Sequence, residues 1–193
     1  MLELDDTVTA PVRRHKLDVA TYNGMNDAGL FGPDDRVELI EGELIDMAPI
    51  GQDHASTVNE LAETLILACA GAAYVSVQNP IAVDNYNEPQ PDLAICRARP
   101  DRYRKTRPGP ADVLVLIEVA DSTLRFDRTV KLRVYARAGV AEFWLVDLKR
   151  RVLEVYRLPV GDQYTAMTTH GAQDTLSLSL APTIQVSLAQ VFG

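Results

Sequence analysis

Val113-Leu114-Val115-Leu116-Ile117 is an unbroken run of β-branched and leucine residues that ends directly on a carboxylate, Glu118. A strand without polar alternation has no face for water, so it belongs inside a sheet that is covered on both sides. The flanking sequence offers the covers. Phe126–Ala138 carries Val130, Val134 and Ala138 at helical spacing, with Gly139 as its C-terminal stop. Val58, Leu61, Leu65 and Cys69 mark an amphipathic helix that runs to Gly71, with Asp53 as its cap.

The other segments supply strands and turns. Asp18 caps a short helix ending near Gly29, and Gly32-Pro33-Asp34-Asp35 is loop chemistry. Val37–Ile40 and Glu43–Met47 alternate about Glu41-Gly42, a hairpin with a two-residue turn. Tyr74–Gln78 and Ile81–Val83 flank Pro80, a polar turn covers Asp84–Gln90, and Asp92–Cys96 is a short strand. Phe143–Val146, Val152–Tyr156, Tyr164–Met167 and Leu176–Leu178 follow as strands. Residues 1–16, with Pro11 among charges and no period, read as an arm, and 17–193 as a single domain. The order predicts an α/β fold with a mixed sheet.

Composition narrows the function. At 193 residues, 47% hydrophobic, the chain can bury a core without staples. Cys69 and Cys96 stand in no CxxC or Cys/His cluster, so buried reduced thiols are expected and structural zinc is not. Glu3, Asp5 and Asp6 stand where a signal peptide would be basic, and the run from Leu65 to Ala73 is far below the roughly 18 residues of a membrane span. A cytoplasmic protein without a membrane partner is expected. The net charge of −8 argues against a polyanion, yet residues 1–92 carry −13 and residues 93–193 carry +5, with +6 inside 97–137. The chain therefore has room for a local basic face.

Two carboxylates stand where they look expensive. Glu118 follows the buried run, where a charge must be paired, hydrogen-bonded or bound to a cation unless the strand emerges into water. Asp92 follows Pro91 at the entrance of another short strand, and two acids on neighbouring strands suit a hard cation such as Mg²⁺. Lys131 lies on the helix after the buried strand, either as a surface lysine or as a cation for a hydrolytic transition state. His54, in the first turn of the amphipathic helix, can meet a phosphate, a water or a carboxylate, or have no task. Alternation in the hairpin sets Glu38 opposite Glu41 and Glu43 if the turn is regular. No phosphate-loop, dinucleotide, zincin or serine-hydrolase motif occurs.

Pro91-Asp92, Ile117-Glu118-Val119 with Asp121-Ser122-Thr123, then Asp127, Lys131 and Tyr135, then Gly139 to Asp147, together with the hairpin Val37–Leu44 and His54, form an ordered set. The set resembles the Uma-type restriction-endonuclease-like proteins of the PD-(D/E)XK nuclease superfamily, over roughly residues 20–192. The resemblance implies a restriction-endonuclease-like core with a mixed β-sheet flanked by helices, plus additional C-terminal strands. It also implies that Asp92, Glu118 and the backbone carbonyl of Val119 bind Mg²⁺ or Mn²⁺, and that the metal and Lys131 activate water against a phosphodiester. In the superfamily the lysine usually stands two residues after the acid, where this chain has Ala120; the helix residue Lys131 takes its place. The superfamily's extra acid on the first helix has no obvious counterpart, and His54 stands in its place.

The leading expectation is thus a metal-dependent endonuclease acting on DNA, with catalytic residues Asp92, Glu118, Lys131 and His54 and the basic stretch Arg97–Arg107 as support. A catalytically inactive module that binds DNA or a protein partner is the alternative, and a hydrolase of small phosphorylated molecules a third. Apolar positions Val152, Leu153, Val155 and Tyr156, read as exposed, suggest a homodimer.

Overall fold

The computed structural model describes residues 14–32 and 34–192, so most of the expected arm, residues 1–13, lies outside the described residues. Helix α1 (Val19–Asp27) starts where Asp18 accepts the Thr21 N–H at 2.7 Å, the cap its side chain predicts. β1 (Val37–Ile40) and β2 (Glu43–Asp46) form the hairpin, with Glu41 at φ 52° and Gly42 at φ 78°, the left-handed pair of a tight primed turn. The two-residue turn pairs Glu38 with Ile45 and Ile40 with Glu43, so Glu38 and Glu43 share a face, contrary to the expected opposition; Glu38 is buried, while Glu43 beside the turn stays exposed and pairs with Arg14. α2 (Gln52–Cys69) is capped by Gly51, and Asp53 sits in its first turn instead of capping it. There its charge still suits the positive end of the helix dipole.

β3 (Ala73–Val77) and β4 (Leu93–Arg97) are antiparallel neighbours. The expected strand at Ile81–Val83 does not form. Pro80 interrupts the chain, Ile81 N–H goes to the Pro89 carbonyl, and Val83 N–H goes to Asn87, so these residues line a loop. β5 (Val113–Ala120) is buried along its whole length and runs past Glu118, which therefore does not emerge into water. The helical segment after it is α3 (Leu124–Phe126), a π-helical turn (Asp127–Lys131) and α4 (Leu132–Arg137), stopped by Gly139 at φ 76°.

β6 (Glu142–Asp147), β7 (Val152–Val160) and β8 (Gln163–His170) complete a six-stranded sheet of order β3-β4-β5-β6-β7-β8. Only the β5–β6 pair is parallel, because the α3–α4 segment carries the chain back across the sheet. A separate hairpin of β9 (Thr175–Leu178) and β10 (Ala181–Ser187), followed by α5 (Ala189–Phe192), closes the described chain. Two cores result. Leu61 and Leu65 of α2, Ile117 and Trp144 of the sheet, and Val186 and Phe192 pack on one face. Leu116, Phe143 and Tyr156 pack against Val134 and Tyr135 of α4 on the other.

This is the mixed α/β architecture expected, with a six-stranded sheet flanked by helices and extra C-terminal strands. One further reading needs correction. Leu153, Val155 and Tyr156 are buried because β7 lies between β6 and β8, so they offer no dimer surface. The basic stretch Arg97–Arg107 connects β4 to β5, at the end of those strands opposite Asp92 and Glu118. Both cysteines are free and buried, and burial pushes the Cys96 thiol up to about 12.

Candidate active site

Glu118 reaches its position because it alternates with Leu116 and Ala120, which face α4 beyond a register shift near Val113. Lys131 Nζ lies 3.0 Å from Glu118 Oε1, and Tyr135 Oη donates to the same oxygen at 2.7 Å. Asp127, Lys131 and Tyr135 are spaced four apart, so one face of the helical segment delivers all of them. Lys131 also contacts Glu38 Oε1 at 3.0 Å, and Glu38 Oε2 accepts the Gln90 N–H at 3.0 Å. The hairpin face thus supplies an acid to the site, settling what the sequence left open for Glu38.

Asp92 sits just before β4, beside the end of the β4–β5 ladder at Leu93 and Ile117. Its Oδ2 accepts the Val119 N–H at 2.9 Å and lies 3.1 Å from His54 Nε2, while Gln78 Nε2 donates to Oδ1 at 3.2 Å. A strand residue points its N–H and C=O to one side, so the Val119 carbonyl also turns toward Asp92. Gln78 holds a left-handed φ of 50°, the backbone kink that takes the chain out of β3.

Glu38, His54, Asp92, Glu118, Val119, Asp127 and Lys131 line one cleft of about 370 Å³ with Arg36 and Phe126. Burial pushes the Asp92 carboxyl up, but the hydrogen bond and charge of His54 with the Val119 and Gln78 donors outweigh it and hold Asp92 below its ordinary value. The Asp92 hydrogen bond in turn raises His54. Burial, then the charges of Asp127, Asp92 and Glu38, hold Glu118 well above the usual carboxylate range although Lys131 opposes them. Burial likewise raises Asp127, whose Oδ2 accepts from Thr123 Oγ1 at 2.6 Å. Burial disfavours the Lys131 ammonium, yet Glu118, Glu38 and Asp127 overcome this and keep it charged. Four carboxylates thus surround one buried ammonium, a deficit of positive charge.

That donor set fits a divalent cation. Among the described residues no three His, Cys, Asp or Glu side chains stand as a ready cage. Mg²⁺ does not need one, since it takes one or two carboxylates and keeps several waters. Asp92, Glu118 and the Val119 carbonyl meet that requirement. The structure brings all four sequence-derived residues, His54, Asp92, Glu118 and Lys131, to one cleft. It adds Glu38, Asp127, Tyr135, Gln78 and Arg36. The spacing of Asp127 and Tyr135 about Lys131 was a usable signal; Gln78 and Arg36 carried none.

The family model of Uma2, described as "Putative restriction endonuclease", matches residues 19–189. The chain belongs to the Uma2 family. Uma2 membership gives the site a nuclease-like function as its coarse reading. A crystal structure described as "a putative nuclease" from Anabaena variabilis has the same fold, at TM-score 0.67 and 16% identity over 86% of this chain and 94% of that one. No protein of curated function matches the sequence. Among the described residues no helix of this Uma2 protein is long and apolar enough to cross a membrane.

Proposed function

We propose that the protein is a divalent-metal-dependent endonuclease that hydrolyses phosphodiester bonds in DNA. The observation that carries this reading is the meeting of Asp92, Glu118 and Lys131 in one acidic cleft, with Lys131 Nζ 3.0 Å from Glu118 Oε1. Asp92 and Glu118 hold the cation, Mg²⁺ or Mn²⁺, with the Val119 carbonyl as a third donor. When bound, the cation supplies water activation and neutralises charge on the phosphate.

The chain's own groups do the rest. Lys131 stays protonated, so it acts as a fixed donor and positive charge beside the attacking water and the phosphorane-like transition state, not as a base. His54 fixes the Asp92 carboxylate from one side while the Val119 N–H fixes it from the backbone. Tyr135 and Lys131 both hold Glu118 Oε1, which fixes the rotamer of that carboxylate. Arg36 lines the cleft without an ion pair among the described residues and receives the non-bridging phosphate oxygens of the strand being cut.

The test is cleavage of supercoiled plasmid, linear duplex and single-stranded DNA with Mn²⁺ or Mg²⁺. Metal-dependent cutting is expected, lost at least 100-fold in Asp92→Ala and Lys131→Ala, with Arg36→Ala raising KM more than it lowers kcat. Cutting by Asp92→Ala and Lys131→Ala at the parent rate would remove these residues from the mechanism. One observation favours the non-catalytic module: Lys131 and Tyr135 both occupy Glu118 Oε1. A parent protein whose melting temperature ignores Mn²⁺ would decide for that module.

A further inference from the structure

The basic connection between β4 and β5 is built, not loose. Arg102 and Tyr103 occupy left-handed conformations in succession, φ 48° and 59°, where side-chain-bearing residues are strained. Contacts hold them there. Tyr103 Oη donates to the Arg97 carbonyl at 2.8 Å, Arg99 stacks 4.6 Å over the Tyr103 ring and pairs with Asp101, and Arg102 lies 5.6 Å over Tyr74. Arg107 is tied to Glu88 and Asn23. What remains is an exposed set, Arg97, Arg102, Arg104 and Lys105, with no carboxylate partner among the described residues. Arg104 and Lys105 make no side-chain bond or ion pair at all among those residues.

Its place in the fold gives this set meaning. β4 and β5 are antiparallel, so their connection lies at one end and Asp92 and Glu118 at the other. Five strand steps separate Val113 from Glu118, about 17 Å. β3 is the outermost strand and spans the same interval: Ala73 pairs with Arg97 at the basic end and Val77 with Leu93 beside Asp92. About 17 Å is the length of roughly five base pairs of duplex.

We infer that Arg102, Arg104 and Lys105 form a second backbone-binding surface for DNA, set one half-turn of duplex away from the cleft along the β3 edge. This rests on the nuclease reading above. The cleft is crowded with carboxylates and cannot by itself attract a polyanion, so a remote cationic anchor supplies the attraction while the cation-loaded site performs the cut. Stacked guanidinium and tyrosine planes hold the anchor in a fixed shape. The prediction that separates this surface from the cleft is length: only DNA long enough to span both benefits.

The test compares the parent with Arg104→Glu/Lys105→Glu on a dinucleotide, whose single phosphodiester cannot span about 17 Å, and on a 30-bp duplex. Cleavage is followed in Mn²⁺ and binding by anisotropy in Ca²⁺. For the 30-bp duplex, KM should rise at least fivefold with kcat unchanged, and the salt slope of binding should fall by about 2. The dinucleotide should not distinguish the two proteins. Unchanged KM on 30 bp, or equal losses on both lengths, overturns the inference while leaving the nuclease reading intact. Loss of an oligo-glutamate ligand with DNA binding unchanged overturns it in favour of an acidic protein partner. A parent that neither binds nor cuts either substrate overturns both.

Discussion

Glu118 is a residue the fold holds against its preference. It is 4% exposed at the end of a buried strand, with Glu38, Asp92 and Asp127 near and Lys131 the one ammonium among them. Its folded-state pKa is raised, so the folded protein holds a proton more tightly than the unfolded chain does. Stability from this group is therefore present below its unfolded value, near 4.5, and is lost as pH rises through the folded value. Glu118→Gln removes the repulsion. In EDTA at neutral pH the variant should melt higher than the parent, by about 2–4 °C for each kcal/mol relieved, and Mn²⁺ should no longer raise its melting temperature. A variant that melts lower in EDTA would show that the carboxylate is a net stabiliser. Asp92, Glu118 and Lys131 were legible in the sequence because each broke a local rule or matched a motif. Glu38 was not, because counting alternation along the chain misses that the two-residue turn pairs Ile40 with Glu43 and sets Glu38 and Glu43 on one face, a matter of cross-strand register. Gln78 gave no sign, since its left-handed φ of 50° follows from tertiary bonds to Asp92.

At the scale of elements, long periodic segments were readable and short or interrupted ones were not. The α2 stripe of Val58, Leu61, Leu65 and Cys69 and the β5 run both formed as their spacing demands. β10 and α5 were missed: β10 keeps only Ile184 and Val186 buried, and α5 spans four residues, too few for a period. The helix over 126–138 was legible as a helix, but its π-helical turn at Asp127–Lys131 was not, because it follows no sequence period. α2 ends two residues before Gly71, the glycine that marks its stop: the intervening Ala70 is exposed and left-handed at φ 44°, a conformation a Cβ disfavours. Ala70→Gly should stabilise the protein by about 0.5–1 kcal/mol, seen as a higher urea midpoint with the same slope. An unchanged or lower midpoint would mean that the added chain entropy of glycine offsets the strain.

Across the whole molecule, the site and the core are separable. The C-terminal hairpin and α5 pack on α2 and the sheet face opposite α4, and Leu188 there is fully buried. Leu188→Ala should cost about 2–5 kcal/mol in urea unfolding and leave the Mn²⁺-induced stabilisation of the folded state unchanged; a lost metal response would couple the C-terminal unit to the cleft. Charge, too, divides by region. The acidic first half of the chain supplies Glu38 and Asp92, and the basic segment Arg97–Arg107 lies at the far end of β4 and β5. Sequence gave the sign of that segment but not its distance, which depends on strand direction.

The parallel pairing of β5 with β6 also carries a consequence for how the protein comes into being. Every other neighbouring pair in the sheet is antiparallel, whereas β6 reaches β5 only after the α3–α4 segment has crossed over. Such a connection closes slowly because chain entropy must be surrendered before the contacts form. Lys131 lies within that crossover, while Glu38, His54, Asp92 and Glu118 all precede it. A ribosome-bound chain therefore holds these acids before the ammonium that pairs with them, so the cleft is complete only after the crossover has closed.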